Sequence, residues 1–142
     1  MAIDGKTDAD IIAVLRDTRT IALVGASQNT TRASYHVLEY LLGRGYDVHP
    51  VNPGLAGQQL LGRTVYSSLA DVPGPIHMVD VFRNAEAAGE TIDEALALPH
   101  PPKTVWLQLG IVNAEAAARA EARGVAVVMD RCPAIEGPRL GV

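Results

Sequence analysis

TIALVGASQNTTRASYHVLEYLLGRGYDVHPVNP, residues 20–53, decides the fold. An apolar, β-branched run, TIALVGA at 20–26, is followed by a segment of helical spacing over 34–43, with Tyr35, Leu38, Leu41 and Leu42 on one face. A second run, YDVHPV at 46–51, comes next. Strand, crossover helix and strand make a βαβ unit, whose strands are parallel and need cover on both faces. Ser34 is the predicted N-cap, and Gly45 stands where a left-handed residue ends a helix. The alternation continues with strands HMVDVF at 77–82, TVWLQLG at 104–110 and VAVVMD at 125–130. Helical segments over 85–98, capped by Asn84, and 113–123, capped by Asn113, lie between them, and Gly124 closes the last. A leading helix over 8–16, with Ile11, Ile12 and Leu15 as its stripe, is read as packing. The expected fold is α/β, a Rossmann-like doubly wound parallel sheet of about five strands, with residues 1–142 as a single domain.

The pattern breaks over residues 53–75, where proline and glycine cluster in place of a second crossover helix. The segment is expected to be irregular, with Ser67 or Ser68 capping a single turn through Asp71. Connections longer than about 12 residues without structure tend to be functional or mobile, and a tolerated surface insertion is the plainer alternative.

Composition excludes several classes. A single cysteine, Cys132, rules out an internal disulfide and suits a reducing compartment, so a cytoplasmic location is expected. The first twenty residues hold no apolar run of the kind that a signal peptide or membrane span needs, and no membrane partner is expected. With 12 Lys+Arg against 16 Asp+Glu there is no basic footprint for nucleic acid. His36, His49, His77 and His100 are scattered without metal-ligand spacing, so no metal is expected.

Open parallel sheets bind ligands beyond the carboxyl ends of their strands, so the residues closing each strand carry the functional information. Gly25-Ala26-Ser27 closes the first and permits a tight turn into a helix whose first N–H groups face an anion, with Arg32 adding a cation. Ser27 and Thr30 stand where a G-x-G-x-x-G fingerprint has glycines, so an ordinary βα turn remains open. Val51-Asn52-Pro53 closes the second strand without the carboxylate that an NAD site places there. A 2′- or 3′-phosphorylated ribose, as in NADP or coenzyme A, avoids the repulsion that such an acid creates. Asn52-Pro53 as a simple strand stop is the alternative. Phe82-Arg83, Gln108-Leu109-Gly110 and Asp130-Arg131-Cys132 close the remaining strands. Neither a G-x-S-x-G elbow nor a P-loop is present. Asp80 is expected to face outward or to bond a loop, and Asp130 to pair with Arg131, so no catalytic residue is assigned.

Taken together, VGAS with Arg32-Ala33-Ser34-Tyr35, PVNP at 50–53, SLADVP at 68–73, VDVFR at 79–83, VWLQLGIVN at 105–113 and VVMDRCPAIE at 127–136 form a pattern that spans nearly the whole chain. It resembles the small stand-alone CoA-binding proteins related to the nucleotide-binding domain of the succinyl-CoA synthetase alpha subunit. The resemblance implies coenzyme A lying across the strand ends. Gly25, Ala26 and Ser27 would approach the phosphates, with Arg32 and Ser34 in the same site, and Val51, Asn52 and Pro53 the adenosine side. Phe82 and Arg83 would meet the adenine or pantetheine region, and Gln108 and Gly110, with Arg131 and Cys132, the far rim. Arg131 favours a Cys132 thiolate, which on that rim would allow a mixed disulfide with the pantetheine thiol; a small buried packing residue is the alternative. On this reading Gly25→Val removes CoA binding and leaves the fold intact.

Two features depart from the synthetase. Pro53 is followed by Gly54-Leu55-Ala56, where the synthetase has a lysine, and no cation stands between Pro53 and Arg63. Its phosphohistidine domain has no counterpart here, so ligase activity does not carry over. The implied function is binding of CoA or acyl-CoA without catalysis, with a regulatory use open. The alternatives are an NADP-binding reductase-like protein and an interaction scaffold with a vestigial nucleotide site. Small residues at Ala114, Ala116, Ala117 and Ala118 suit either a homodimer face or a helix lying flat on the sheet.

Overall fold

Residues whose apolar side chains alternate with period two fill both faces of a central sheet, and helices of period 3.6 cover them. The computed structural model describes residues 2–142. In chain order the elements are α1 (Asp8–Asp17), β1 (Thr20–Val24), α2 (Ala33–Gly43), β2 (Asp47–Val51), β3 (Gln59–Leu60), β4 (Arg63–Thr64) and β5 (Met78–Val81). They continue with α3 (Ala85–Leu96), β6 (Thr104–Leu107), α4 (Ala114–Glu121), β7 (Ala126–Val128) and α5 (Pro133–Leu140). The five-stranded parallel sheet runs β2-β1-β5-β6-β7, an α/β Rossmann-like arrangement. Val24 of β1 is in register with Val51 of β2 on one side and Val81 of β5 on the other, so the strand ends share one rim. Chain order reverses beside β1, and the gap between the carboxyl ends of β1 and β5 is the topological switch point.

Ala22, Val24, Val79, Val81, Val105 and Leu107 pack with Ala88 and Ile92 of α3 and Ala116 and Ala120 of α4. Ile21, Leu23, Met78, Trp106 and Val128 meet Ile11 and Leu15 of α1 and Leu38 and Leu41 of α2 on the other face. Of the alanines on α4, Ala116, Ala117 and Ala120 belong to this core, whereas Ala114 and Ala118 are exposed. Among the described residues no helix is long and apolar enough to cross a membrane.

Four local expectations are corrected. First, α2 begins at Ala33, with Arg32 at the cap position and no side-chain cap bond, and Ser34 is buried inside the first turn. The preceding loop turns on itself, Asn29 Oδ1 accepting from the Thr31 N–H and the Asn29 carbonyl from the Arg32 N–H, so the helix starts early. Second, α3 ends at Leu96 with Ala97 as its C-cap, in keeping with Leu98 standing before Pro99, where a helical backbone is disfavoured.

Third, residues 53–75 are structured. A 3-10 turn at Pro53–Leu55 leads into the β3–β4 hairpin, and the single turn expected through Asp71 is present at Leu69–Asp71 with Ser68 at its cap position. Arg63 Nε donates to the Val48 carbonyl, the Tyr66 N–H to Pro50 and the Asn52 N–H to Tyr66, so this stretch covers the outer edge of β2. An open edge strand would invite pairing with another chain.

Fourth, neither acid near a strand end sits as expected. Asp130 has φ 57° and its Oδ1 accepts from the Gly110 N–H, not from Arg131. Asp80 lies between Leu23 and Trp106 in the sheet, is 0% exposed, and neither carboxyl oxygen has a hydrogen-bond partner. Burial pushes its pKa well above the usual carboxylate range.

The folded protein therefore keeps Asp80 protonated at pH values where the unfolded chain ionises. Its contribution to stability is complete below the unfolded value, about 4, and is lost as pH rises toward the folded one. Asp80→Asn removes that loss. Denaturant titrations from acid to neutral pH should show the variant gaining on wild type as pH rises, and a constant difference would contradict the buried neutral acid.

Candidate functional site

The turn after β1 is shaped by a close approach of two backbones. The Gly25 and Ala26 N–H groups both donate to the Val51 carbonyl, and the Phe82 N–H donates to Val24, which ties the ends of β2, β1 and β5 together. Gly25 has φ 89°, and a Cβ there would lie 3.0 Å from the Phe82 carbonyl carbon and inside contact with its oxygen. Glycine is thus required by the fold at this position. The expectation that Gly25→Val spares the fold is corrected on that ground.

A cleft of about 480 Å³ opens at this switch point, lined by Gly25, Ala26, Ser27, Arg32, Ala33 and Ser34 from the first turn and α2, and by Asn52 from β2's end. Phe82, Arg83 and Asn84 form its β5 wall, and Gln108, Leu109 and Ile111 its β6 wall. A second lobe of about 400 Å³ shares Gly25, Asn52, Phe82, Arg83 and Asn84 and adds Val51, Pro53 and Ala87. Both are within the size range of small-molecule sites.

The lobes differ in chemistry. In the larger one, the uncapped start of α2 leaves N–H groups without side-chain acceptors beside Arg32. Arg32 and Arg83 are both exposed, and among the described residues neither makes an ion pair. Gln108 is only 7% exposed, and its Oε1 has no hydrogen-bond partner. A buried acceptor left open on a cleft wall fits a ligand that brings an N–H or O–H. Leu109, 51% exposed, and Ile111 make the adjoining wall apolar.

Asn52 is held by both ends of its side chain. Nδ2 donates to the Ala26 carbonyl at 2.7 Å and Oδ1 accepts from the Gly54 N–H at 2.8 Å, so it pins the two loops of the crevice together. Val51 is buried and, with Pro53, borders the second lobe.

The structure does not bring every expected residue to the crevice. Gly110 lies just outside the lining, its N–H held by Asp130. Arg131 is turned away. Its Nε and Nη2 donate to Asp4, Nη2 also to the Lys6 carbonyl, and Nη1 to Glu136, leaving the side chain 11% exposed. Cys132 is buried at the start of α5 among residues of the Trp106 face. Incubation of the folded protein with oxidised CoA should therefore yield no Cys132 adduct, which intact-mass measurement would detect. Sequence reasoning missed Ala33, Asn84 and Ile111 as lining residues of the larger lobe, while Leu109 belongs to the strand end it placed on the rim. The signal for Ile111 was an apolar side chain next to Gly110 beyond the strand.

Comparison with known proteins follows the same outline. The uncharacterized protein YneT of Bacillus subtilis (strain 168) is 36% identical over 130 residues, 92% of this chain and 93% of that protein. A hypothetical protein from Pyrococcus horikoshii OT3 superposes with a TM-score of 0.92 at 39% identity, covering 100% of this chain and 97% of that one. Cell-free ID.343 from Thermus thermophilus gives 0.88 at 38% identity, covering 95% of this chain and 99% of that one. A dinucleotide-forming acetyl-coenzyme A synthetase from Ca. Korarchaeum cryptofilum shares the fold with a TM-score of 0.67 at 23% identity, over 80% of this chain and 27% of that one. The profile of the CoA binding domain matches residues 19–138, and on that match the chain belongs to the CoA binding domain family.

Proposed function

We propose that this protein binds coenzyme A or an acyl-CoA across the crevice between β1 and β5 and carries no catalytic group of its own. The observation that supports this most is the junction, in one cleft, of two arginines without an ion-pair partner among the described residues, an uncapped helix start and the open Gln108 acceptor. A pyrophosphate suits Gly25-Ala26-Ser27, the first N–H groups of α2 and Arg32. The adenosine end then points to Val51-Asn52-Pro53. The pantetheine arm, with an amide N–H to offer and an apolar end to bury, runs toward Gln108, Leu109 and Ile111. The bound group would supply a thiol, or an acyl thioester when acylated. Among the described residues the lining of both lobes holds no carboxylate, histidine or cysteine to act on it, which favours binding over catalysis.

Calorimetry tests the assignment through Arg32. Arg32→Ala should weaken CoA binding about tenfold in low salt and by less in high salt, as expected for a charge-assisted contact to phosphate. Equal affinities for variant and wild type at both salt concentrations would remove Arg32 and the α2 end from the site.

A further inference from the structure

Resting on the coenzyme A reading of the crevice, we infer that Arg83 reads the ribose 3′-phosphate and so separates coenzyme A from dephospho-coenzyme A. In open parallel sheets the adenosine ribose lies at the end of the second strand, which here opens on the smaller lobe, between Asn52-Pro53 and Arg83-Asn84. The β2 side of that lobe is uncharged. Asn52 is engaged with Ala26 and Gly54, and Gly54, Leu55 and Ala56 follow without a cation. Arg63, the next cation along the chain, is bound at the opposite end of β2 by the Val48 carbonyl and Asp47.

Among the described residues Arg83 is the single cation lining this lobe. Among the described residues it has no carboxylate partner, and its exposed guanidinium leads into α3, where Asn84 caps the Ala87 N–H. Glu86, in the first turn of α3, is the nearby acid that a phosphate would oppose, so the cation is needed for a dianion to settle there. A guanidinium offers two parallel N–H donors to a phosphate, and that pairing is lost when the 3′-phosphate is absent. Arg32 lines only the larger lobe and meets the part of the molecule common to both ligands.

Calorimetry with coenzyme A and dephospho-coenzyme A on wild type, Arg83→Gln, Arg83→Lys and Arg32→Gln tests the assignment. Wild type should prefer coenzyme A by about tenfold. Arg83→Gln should bring that ratio near one, with the loss falling on coenzyme A, while Arg83→Lys keeps part of it. Arg32→Gln should lower both affinities by the same factor and preserve the ratio. A wild type without preference, or a ratio that survives Arg83→Gln, overturns the role of Arg83 while leaving the crevice as the CoA site. A wild type that binds neither ligand overturns the coenzyme A reading and this assignment with it. Melting curves of the four proteins establish that each is folded.

Discussion

Gly25→Ala lowers the free energy of unfolding by about 3 kcal/mol, with no ligand present. Two costs combine. An alanine at φ 89° loses roughly 1 kcal/mol or more relative to glycine, since an L side chain rarely adopts that backbone. The added Cβ also meets the Phe82 carbonyl, a backbone group fixed by the Phe82 N–H bond to Val24, so relief requires β1 and β5 to part. Gly45→Ala isolates the first cost, because Gly45 has φ 90° and open space around its Cβ position. Urea unfolding should place Gly45→Ala about 1 kcal/mol below wild type and Gly25→Ala well below that. Similar losses for both would mean that the close approach to Phe82 contributes nothing. The same contact makes Gly25→Val a test of folding before it is a test of binding.

Arg131→Ala is expected to cost about 4 kcal/mol, because it strands buried carboxylates that the guanidinium now satisfies. Asp4 has a fully buried side chain, and Glu136 is nearly so. Burial pushes the Asp4 carboxyl up, but hydrogen bonds from Arg131 and from the Lys6 and Met129 N–H groups, with the charge of Arg131, outweigh it, and its pKa is lowered. Hydrogen bonds from Arg139 hold the Glu136 carboxyl down against burial, with Arg131 adding to them. Both carboxyls have folded pKa values below the unfolded ones. Their contribution is complete above the unfolded values, near 4, and is lost as pH falls through the folded ones. Wild type should therefore lose stability in acid more steeply than Arg131→Ala, and parallel curves in denaturant titrations would contradict the network's role.

The alternation of continuous apolar runs with segments of period 3.6 made the main sheet and its three crossover helices legible in the sequence, because each strand is apolar on both faces and each crossover is long enough to be helical. The helix α5 escaped notice. Its sequence, PAIEGPRL, carries Gly137 and Pro138, poor helix formers, and it is held by Arg131 and Arg139 bonds to Glu136 and by Arg139 bonds to Asp8. The β3–β4 hairpin escaped for a related reason. Leu61 occupies a turn position at φ 49° where asparagine or glycine gives the usual signal, and strands of two residues show no period.

In the candidate site, the strand ends were readable because topology alone places them on one rim. What was not readable is where side chains turn after the strand. Arg131 leaves the rim because Asp130 adopts a left-handed backbone and because Asp4, 127 positions earlier in the chain, receives its guanidinium. No local pattern announces a partner at that separation. Asn52 was legible as a strand stop, but its bond to Ala26, which fixes the width of the crevice mouth, depends on β1 and β2 lying side by side.

The central claim is that the crevice is selective for coenzyme A. Native mass spectrometry of the purified protein with coenzyme A, NADP, NAD and ATP together at equal concentration tests it most directly. The account predicts one retained ligand, of the mass of coenzyme A, and about tenfold weaker retention of it by Arg32→Ala in low salt. Retention of NADP in its place, or a protein that stays bare in the presence of all four, would contradict it.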